Sequence, residues 1–444
     1  MLTTKVPVKG RTLTSMAVAT IVSAMALPAL AEQREAPFSD MMDETSVDLS
    51  LRNFYFNRDY QEKHLDKDSN NKKPGTVESW SQAARLDLKS GYFDDLIGFD
   101  ASLFGNLKLV GDEEKFGSGA LRPGHAHPKN GKIVADQKSY SKLGQAYLKA
   151  RFGNDDLNAN LKAGRMFIDT PLLNDNDSRA TPSTTQGIYG EMEACGLEFY
   201  GLYSDKASDR TESGFHSYKN DNGDTWKVGI IGAKYSLDEL TLHASTGKAD
   251  KFKKQNFLNA SYTLDLGSKT SLMLDGYYQT VKDDGHYYTK NGGKLDSKLW
   301  NLATQLSVDS LSFLLSYQSV IGDELDYDWG GSDNNGLVTW NAVQILDFNR
   351  KDEKSWQARI DYSFDSLGIP GLKLMTRYVH GSYKDKDTKK QHEWERNTDL
   401  SYTFSNSSLD GLSITWRNAT VHSADKSVSL DENRLIVNYT LPII

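Results

Sequence analysis

The sequence predicts an all-β protein: a transmembrane up-and-down antiparallel β-barrel of about 18 strands, with long extracellular loops and short periplasmic turns. Three observations predict it. Apolar and polar side chains alternate with a period of two along most of the chain, which is the strand period. The connections between the alternating segments are short and long in turn, the pattern of an outer-membrane barrel and not of a soluble sandwich. Beyond the amino terminus the 444 residues contain no apolar run near the about 20 residues that a membrane helix needs. Only 38% of the residues are apolar and the mean hydropathy is −0.58, a polar average that still suits strands with one greasy face. A single cysteine excludes a disulfide scaffold, and 11% aromatic residues argue against disorder.

The first element is an export signal. Lys5, Lys9 and Arg11 precede an apolar stretch from Leu13 to Leu27, and Ala29, Leu30 and Ala31 form a small-x-small exit. Residues 1–31 are therefore expected to be removed, leaving a mature chain that starts at Glu32. The segment holds three basic and no acidic residues, so its loss moves the net charge from −8 to about −11. The chain leaves the cytoplasm for a compartment in which an unpaired Cys195 would be tolerated if buried or membrane-facing.

The alternation then repeats, with segment centres near 51, 84, 101, 147, 160, 190, 199, 231, 243, 260, 275, 303, 315, 360, 377, 399, 416 and 436. In one window Trp80, Ala84, Leu86 and Leu88 oppose Ser81, Arg85, Asp87 and Lys89; in another Trp356, Ala358, Ile360, Tyr362 and Phe364 oppose Gln357, Arg359 and Asp361. Helical spacing fits neither. Short turns are read at 91–95, 153–156, 236–239, 266–269 and 309–310, and long loops at 57–76, 110–140, 204–225, 281–297 and 321–353. Aromatic residues such as Trp80, Tyr362, Tyr402 and Tyr439 fall on the apolar parity near strand ends, as interfacial girdles do.

The polar parity of such a barrel faces the lumen. It carries Arg52, Arg85, Lys149 with Arg151, Arg359, Arg377, Arg417 and Arg434. These come from the first and last strands, which a closed barrel joins, so they are expected on one stretch of inner wall with strands about 4.8 Å apart. Guanidinium groups stay charged and grip carboxylates in a fork. A row of them would hand a carboxylate along, each site holding it weakly enough to let go. Some are expected to pair with Asp48, Asp87, Asp361 or Asp399.

The segment Gly164–Asn174, continuing through Asp177 and Arg179 to Pro182, resembles the strand and constriction loop of the OprD/Occ outer-membrane porins. So do Gln344–Phe348 followed by Glu353–Tyr362, Asp365–Leu372 before Arg377 and Gly381, and the ending Glu432–Tyr439. The resemblance spans residues 38–444. It implies a monomeric 18-stranded barrel in the outer membrane of a Gram-negative bacterium, narrowed by constriction loops near 166–187 and 321–354. It also implies uptake of small carboxylate-bearing nutrients along an arginine ladder facing an acidic patch. Asp323, Glu324, Asp326 and Asp328 are candidates for the acidic side, and Arg179 either touches substrate or anchors the third loop. Outer-membrane lipid, lipopolysaccharide and the barrel-assembly machinery are the implied partners. The chain departs from the frequent terminal aromatic by ending in Pro442, Ile443 and Ile444.

Other chemistry is set aside. There is no phosphate-binding glycine loop and no Gly-x-Ser-x-Gly elbow, and no cofactor is expected. His125 and His127 lack a third ligand, and Asp323–Asp328 lacks calcium-loop spacing. Net negative charge argues against nucleic acid. The alternative is a barrel enzyme acting on lipids, which needs a Ser and His on the outer wall; no evident pair stands on the outward parities. A barrel adhesin would not need the arginine wall.

Overall fold

The computed structural model describes residues 37–61, 74–154, 157–220, 223–285, 287–288, 293–384, 389–405 and 408–444. The export signal at 1–31 lies outside them. A short helix, α1 (Pro37–Asp43), precedes eighteen long strands. They are β1 (Ser46–Tyr60), β2 (Thr76–Lys89), β3 (Ile97–Val110), β4 (Tyr140–Asn154), β5 (Leu157–Met166) and β6 (Thr184–Ala194). Next come β7 (Leu197–Ser208), β8 (Val228–Leu237), β9 (Leu240–Ala249), β10 (Lys253–Gly267), β11 (Thr270–Asp283) and β12 (Asp296–Val308). The last are β13 (Leu311–Gly322), β14 (Lys354–Ser363), β15 (Leu372–Lys384), β16 (Lys390–Thr403), β17 (Ser413–Ser423) and β18 (Leu430–Pro442). Each predicted segment centre falls inside one of these strands.

Every strand pairs antiparallel with its sequence neighbours, and β18 pairs with β1 from Asp48 opposite Pro442 to Tyr60 opposite Leu430. Closure leaves no edge, so the backbone polar groups of the wall bond one another, as a bilayer requires. The last residues extend this seam, where Ile443 N donates to Val47 O.

The turns at one end are tight. At the β6–β7 turn Cys195 (φ 51°) and Gly196 (φ 75°) both take left-handed backbone, the two-residue hairpin geometry. Cys195 is thus exposed at a turn tip, so the condition of a buried or membrane-facing thiol is not met. At the other end the connections range from the three residues 250–252 between β9 and β10 to long loops, of which those after β5 and β13 enter the barrel.

The two faces of the wall differ in the way the alternation requires. Leu103, Leu148, Leu302 and Leu315 are each more than half exposed on the outer surface, an apolar area that water would penalise and acyl chains cover. Facing residues such as Ser102, Asn301, Gln318 and Gln357 are buried inside.

Candidate functional site

Two loops fill most of the lumen. Loop 3 (167–183) and loop 7 (323–353) meet where Trp329 Nε1 donates to Leu172 O and Asn174 Nδ2 donates to Gly336 O at 3.2 Å. Met166, Ile168, Leu172, Leu173 and Trp329 pack with Leu202, Ile230 and Phe257 of the β7–β10 wall. This apolar plug occupies one side of the barrel. Loop 7 then crosses the lumen. Trp340 Nε1 donates to Asp275 of β11 at 2.7 Å, Asn341 bonds Asn301, Ser316 and Ser355, and Gln344 reaches Glu432 of β18 at 2.8 Å. The amides of Ile345 and Leu346 close on the Glu395 carboxylate of β16.

Below that crossing lies the basic wall. Register puts Arg359 directly opposite Arg377, and Arg417 directly opposite Arg434. Asn438 faces Arg52 across the seam, and Ser50, one inward position further down β1, faces Arg85. The strand ends of the sequence therefore form one continuous surface.

Their partners divide them. Arg359 forks onto Asp361 and Arg85 pairs with Asp87, each two residues along its own strand. Arg417 Nε stands 2.9 Å from Asp399 without hydrogen-bond alignment. Asp87, Asp361 and Asp399 thus sit against arginines, whereas Asp48 reaches Lys89. Arg377 donates to Asn397 at 2.7 Å and makes no ion pair among the described residues. Glu395, on the neighbouring strand, already accepts Ile345, Leu346 and Asn397. Arg377 is thereby the member with spare charge.

Arg434 is roofed over. Only 2% exposed, it is held by Glu432 and by Ser178 O of loop 3. Arg52 clamps loop 3 with a two-pronged bond to Asp177 and a third to Arg179 O. Arg179 bonds Ser118 O of the loop after β3 and Ser178 O, and lies over the Phe56 ring, an anchoring geometry. Burial, with Arg434 and Arg210 close by, pushes its pKa down. Arg151 sits apart from the row, at the turn end of β4, paired with Asp95 and Glu44 and over the Tyr92 ring.

Asp323, Glu324, Asp326 and Asp328 do not touch the arginine row. They line a cavity of about 630 Å³ with Tyr288, Asp347 and Asn349 beside the loop after β11. Asp326 pairs with Lys253 at 2.7 Å and Asp323 with Lys351 at 3.3 Å. Burial raises the pKa values of Asp328 and Asp347. Besides Lys253, the strands place Arg58 and Lys162 among further cations on the lumen side. Arg58 pairs with the buried Glu432, and Lys162 lies over the Tyr189 ring. Arg58 shares the parity of Arg52, and that signal was present in the sequence. Lys162 is hidden by the small residues around it, which weaken the alternation.

Asp175 of loop 3 is buried and accepts Ile168 N, Ser183 Oγ and Thr185 Oγ1, yet burial pushes its pKa up to about 7. A raised folded-state pKa favours the protonated form. Its contribution to loop stability is therefore complete below the ordinary carboxylate range and is lost as pH rises through about 7. Amide exchange at Ile168, corrected for intrinsic pH dependence, should accelerate between pH 5 and 8 in the native chain (a range of about three units around that pKa). Asp175→Asn should flatten the profile; an equally steep profile in the variant would remove Asp175 from the account.

The described residues hold one set with metal-ligand proximity, Asp209, Glu212 and His216 in the loop after β7. His216 already lies 3.3 Å from Glu212 and 3.6 Å from Asp209, and Asp209 raises its pKa. An ion-paired triad accounts for the cluster. His127 Nδ1 approaches His125 O, and among the described residues no metal-ligand cluster includes them. One expectation on the outer wall needs correcting: Ser382 and His392 are register partners on the outward parity. No hydrogen bond joins them among the described residues, and the His392 ring lies against His380 at 5.3 Å.

Comparison with known proteins agrees with this architecture. Residues 39–443 match the family model described as outer membrane porin, OprD family. Porin D of Pseudomonas aeruginosa is 30% identical over 94% of this chain and 94% of its own. The porin-like protein GalP of Pseudomonas putida is 29% identical over 96% and 97%. Among crystal structures, Pseudomonas aeruginosa OccK9 (OpdG) is similar with a TM-score of 0.78 at 28% identity, covering 91% of this chain and 100% of that one. Pseudomonas aeruginosa OpdK with vanillate gives 0.76 at 28% identity, covering 90% and 99%.

Proposed function

Because this chain belongs to the OprD family of outer-membrane porins, we propose that it admits small carboxylate-bearing nutrients passively along its lumenal arginines. The observation that carries the reading is the contiguous basic surface of β14–β18, β1 and β2, in which Arg377 retains a charge that no carboxylate neutralises among the described residues. A carboxylate entering beneath loop 7 meets Arg377 and the exposed edge of Arg359, then Arg417, then Arg85. Local aspartates weaken each grip, which favours passage over retention. Arg52, Arg179 and Arg434 hold loop 3 in place, and Arg151, paired at the turn end of β4, stands outside the path. Vanillate, named in the OpdK structure, is an aromatic carboxylate. In this reading the acidic cavity of Asp323, Glu324, Asp326 and Asp328 attracts the cationic end of a zwitterion. Each chain encloses its own passage, so a monomer suffices. The chemistry is transport, not catalysis.

The test is a liposome-swelling panel of neutral amino acids, aromatic acids, aliphatic acids and sugars matched in size. Carboxylates should enter faster than sugars of equal size, and high salt should narrow the gap by screening. Equal rates for both classes would leave the proposal without support.

A further inference from the structure

The outer wall of β14–β17 carries cationic side chains that make no ion pair among the described residues. Trp356, Tyr378, His380, His392, Trp394 and His422 form a connected aromatic belt there, with successive ring centroids 5.3–6.1 Å apart. The outward residue two positions below Trp394 is Arg396, about 7 Å further along the strand toward the bilayer interior. Arg396 is exposed, and among the described residues its guanidinium bonds only neutral groups, Asn418 Oδ1 at 3.2 Å and Thr420 Oγ1 at 3.1 Å. The nearest outward carboxylate, Asp431, accepts from Thr420 instead and faces Asp59 in register. Above the belt, Lys384 and Lys390 stand directly opposite each other, and neither makes an ion pair among the described residues. Like charges in register repel, and an unmatched guanidinium facing acyl chains is expensive unless it rises to the interface and finds an anion.

We propose that Arg396, with the belt histidines and the Lys384–Lys390 pair above it, forms a binding site for a phosphorylated glycolipid of the outer leaflet. The phosphate seats on Arg396, whose planar fork matches two phosphate oxygens. Trp394 and Tyr378 flank the sugar-level interface, and the lysines meet anionic groups further out. Asn418 and Thr420 hold the guanidinium in place before the lipid arrives. The site is on the opposite face of the wall from the transport path, so its fate and that of the uptake reading are separable.

The experiment is native mass spectrometry of the full chain in detergent, titrated with diphosphoryl lipid A, chemically dephosphorylated lipid A and phosphatidylethanolamine. Diphosphoryl lipid A should bind wild type at least about tenfold more tightly than the other two, and Arg396→Gln should remove about that factor. Arg396→Lys, which keeps the charge, should retain part of it, and inorganic phosphate should not displace the lipid. Single-channel conductance should be unchanged in Arg396→Gln. Binding that ignores phosphorylation, survives in Arg396→Gln or yields to inorganic phosphate overturns the site. The wild-type lipid comparison decides the matter even if the glutamine variant fails to fold.

Discussion

Replacing Arg377 and Arg417 together by alanine lowers carboxylate uptake by about tenfold or more, while uptake of a neutral solute of equal size changes by less than about twofold. Arg377 has the only guanidinium of the row without an ion pair among the described residues, and Arg417 makes a misaligned contact with Asp399. They are the two whose bonding capacity is left for a ligand. Arg434 and Arg52 make poor controls, because each clamps loop 3. The informative control is Arg151→Ala, remote from the row at the turn end of β4. It should leave the carboxylate-to-neutral ratio close to wild type. If the double variant slows both solute classes alike, the arginines serve the barrel and not the cargo.

Excising residues 327–347 of loop 7 and joining the cut ends by two glycines raises single-channel conductance several-fold and erases discrimination between carboxylates and sugars. The excision is geometrically mild. Leu325 N donates to Asn349 O at 2.9 Å and Asn349 Nδ2 returns to Leu325 O at 3.0 Å, so the loop base is already closed. What disappears is the lumen crossing from Asp275 to Glu432 and the Trp329 contact that pins loop 3. The barrel keeps its wall pairing, since β13 and β14 bond each other directly from Leu311 opposite Tyr362 to Ser319 opposite Lys354. Planar-bilayer recording measures the first effect and liposome swelling the second. A variant with unchanged conductance would place the constriction elsewhere, with loop 3 the next candidate.

Strand positions and faces were legible because they depend on neighbours two residues apart. The parity of Trp356, Ala358 and Ile360 against Gln357, Arg359 and Asp361 is written locally, and closure follows once alternate connections are short. The same parity gave the direction of each arginine and, through the meeting of first and last strands, their common wall. It also assigns Arg58 to the inner face, where it pairs with Glu432.

What each arginine does with its charge was not legible. Arg434 and Arg377 look alike in sequence, yet the first is sealed by Glu432 and Ser178 while the second stays open because loop 7 has taken Glu395. Arg151 has the correct parity but the wrong depth. The acidic run from Asp323 to Asp328 turned toward Lys253 and Lys351, away from the row.

The amino-acid order by itself determined a closed β-barrel with a greasy exterior and a basic strip inside, because a period of two assigns every side chain to lipid or lumen without reference to distant residues. Only the tertiary structure decided where the passage runs and which charges face it. Those outcomes rest on loop contacts between residues more than a hundred positions apart, such as Trp329 with Leu172 and Arg52 with Asp177. No local pattern encodes such pairings; they emerge when the closed wall brings loops 3 and 7 into one confined space and each buried polar group must find a partner.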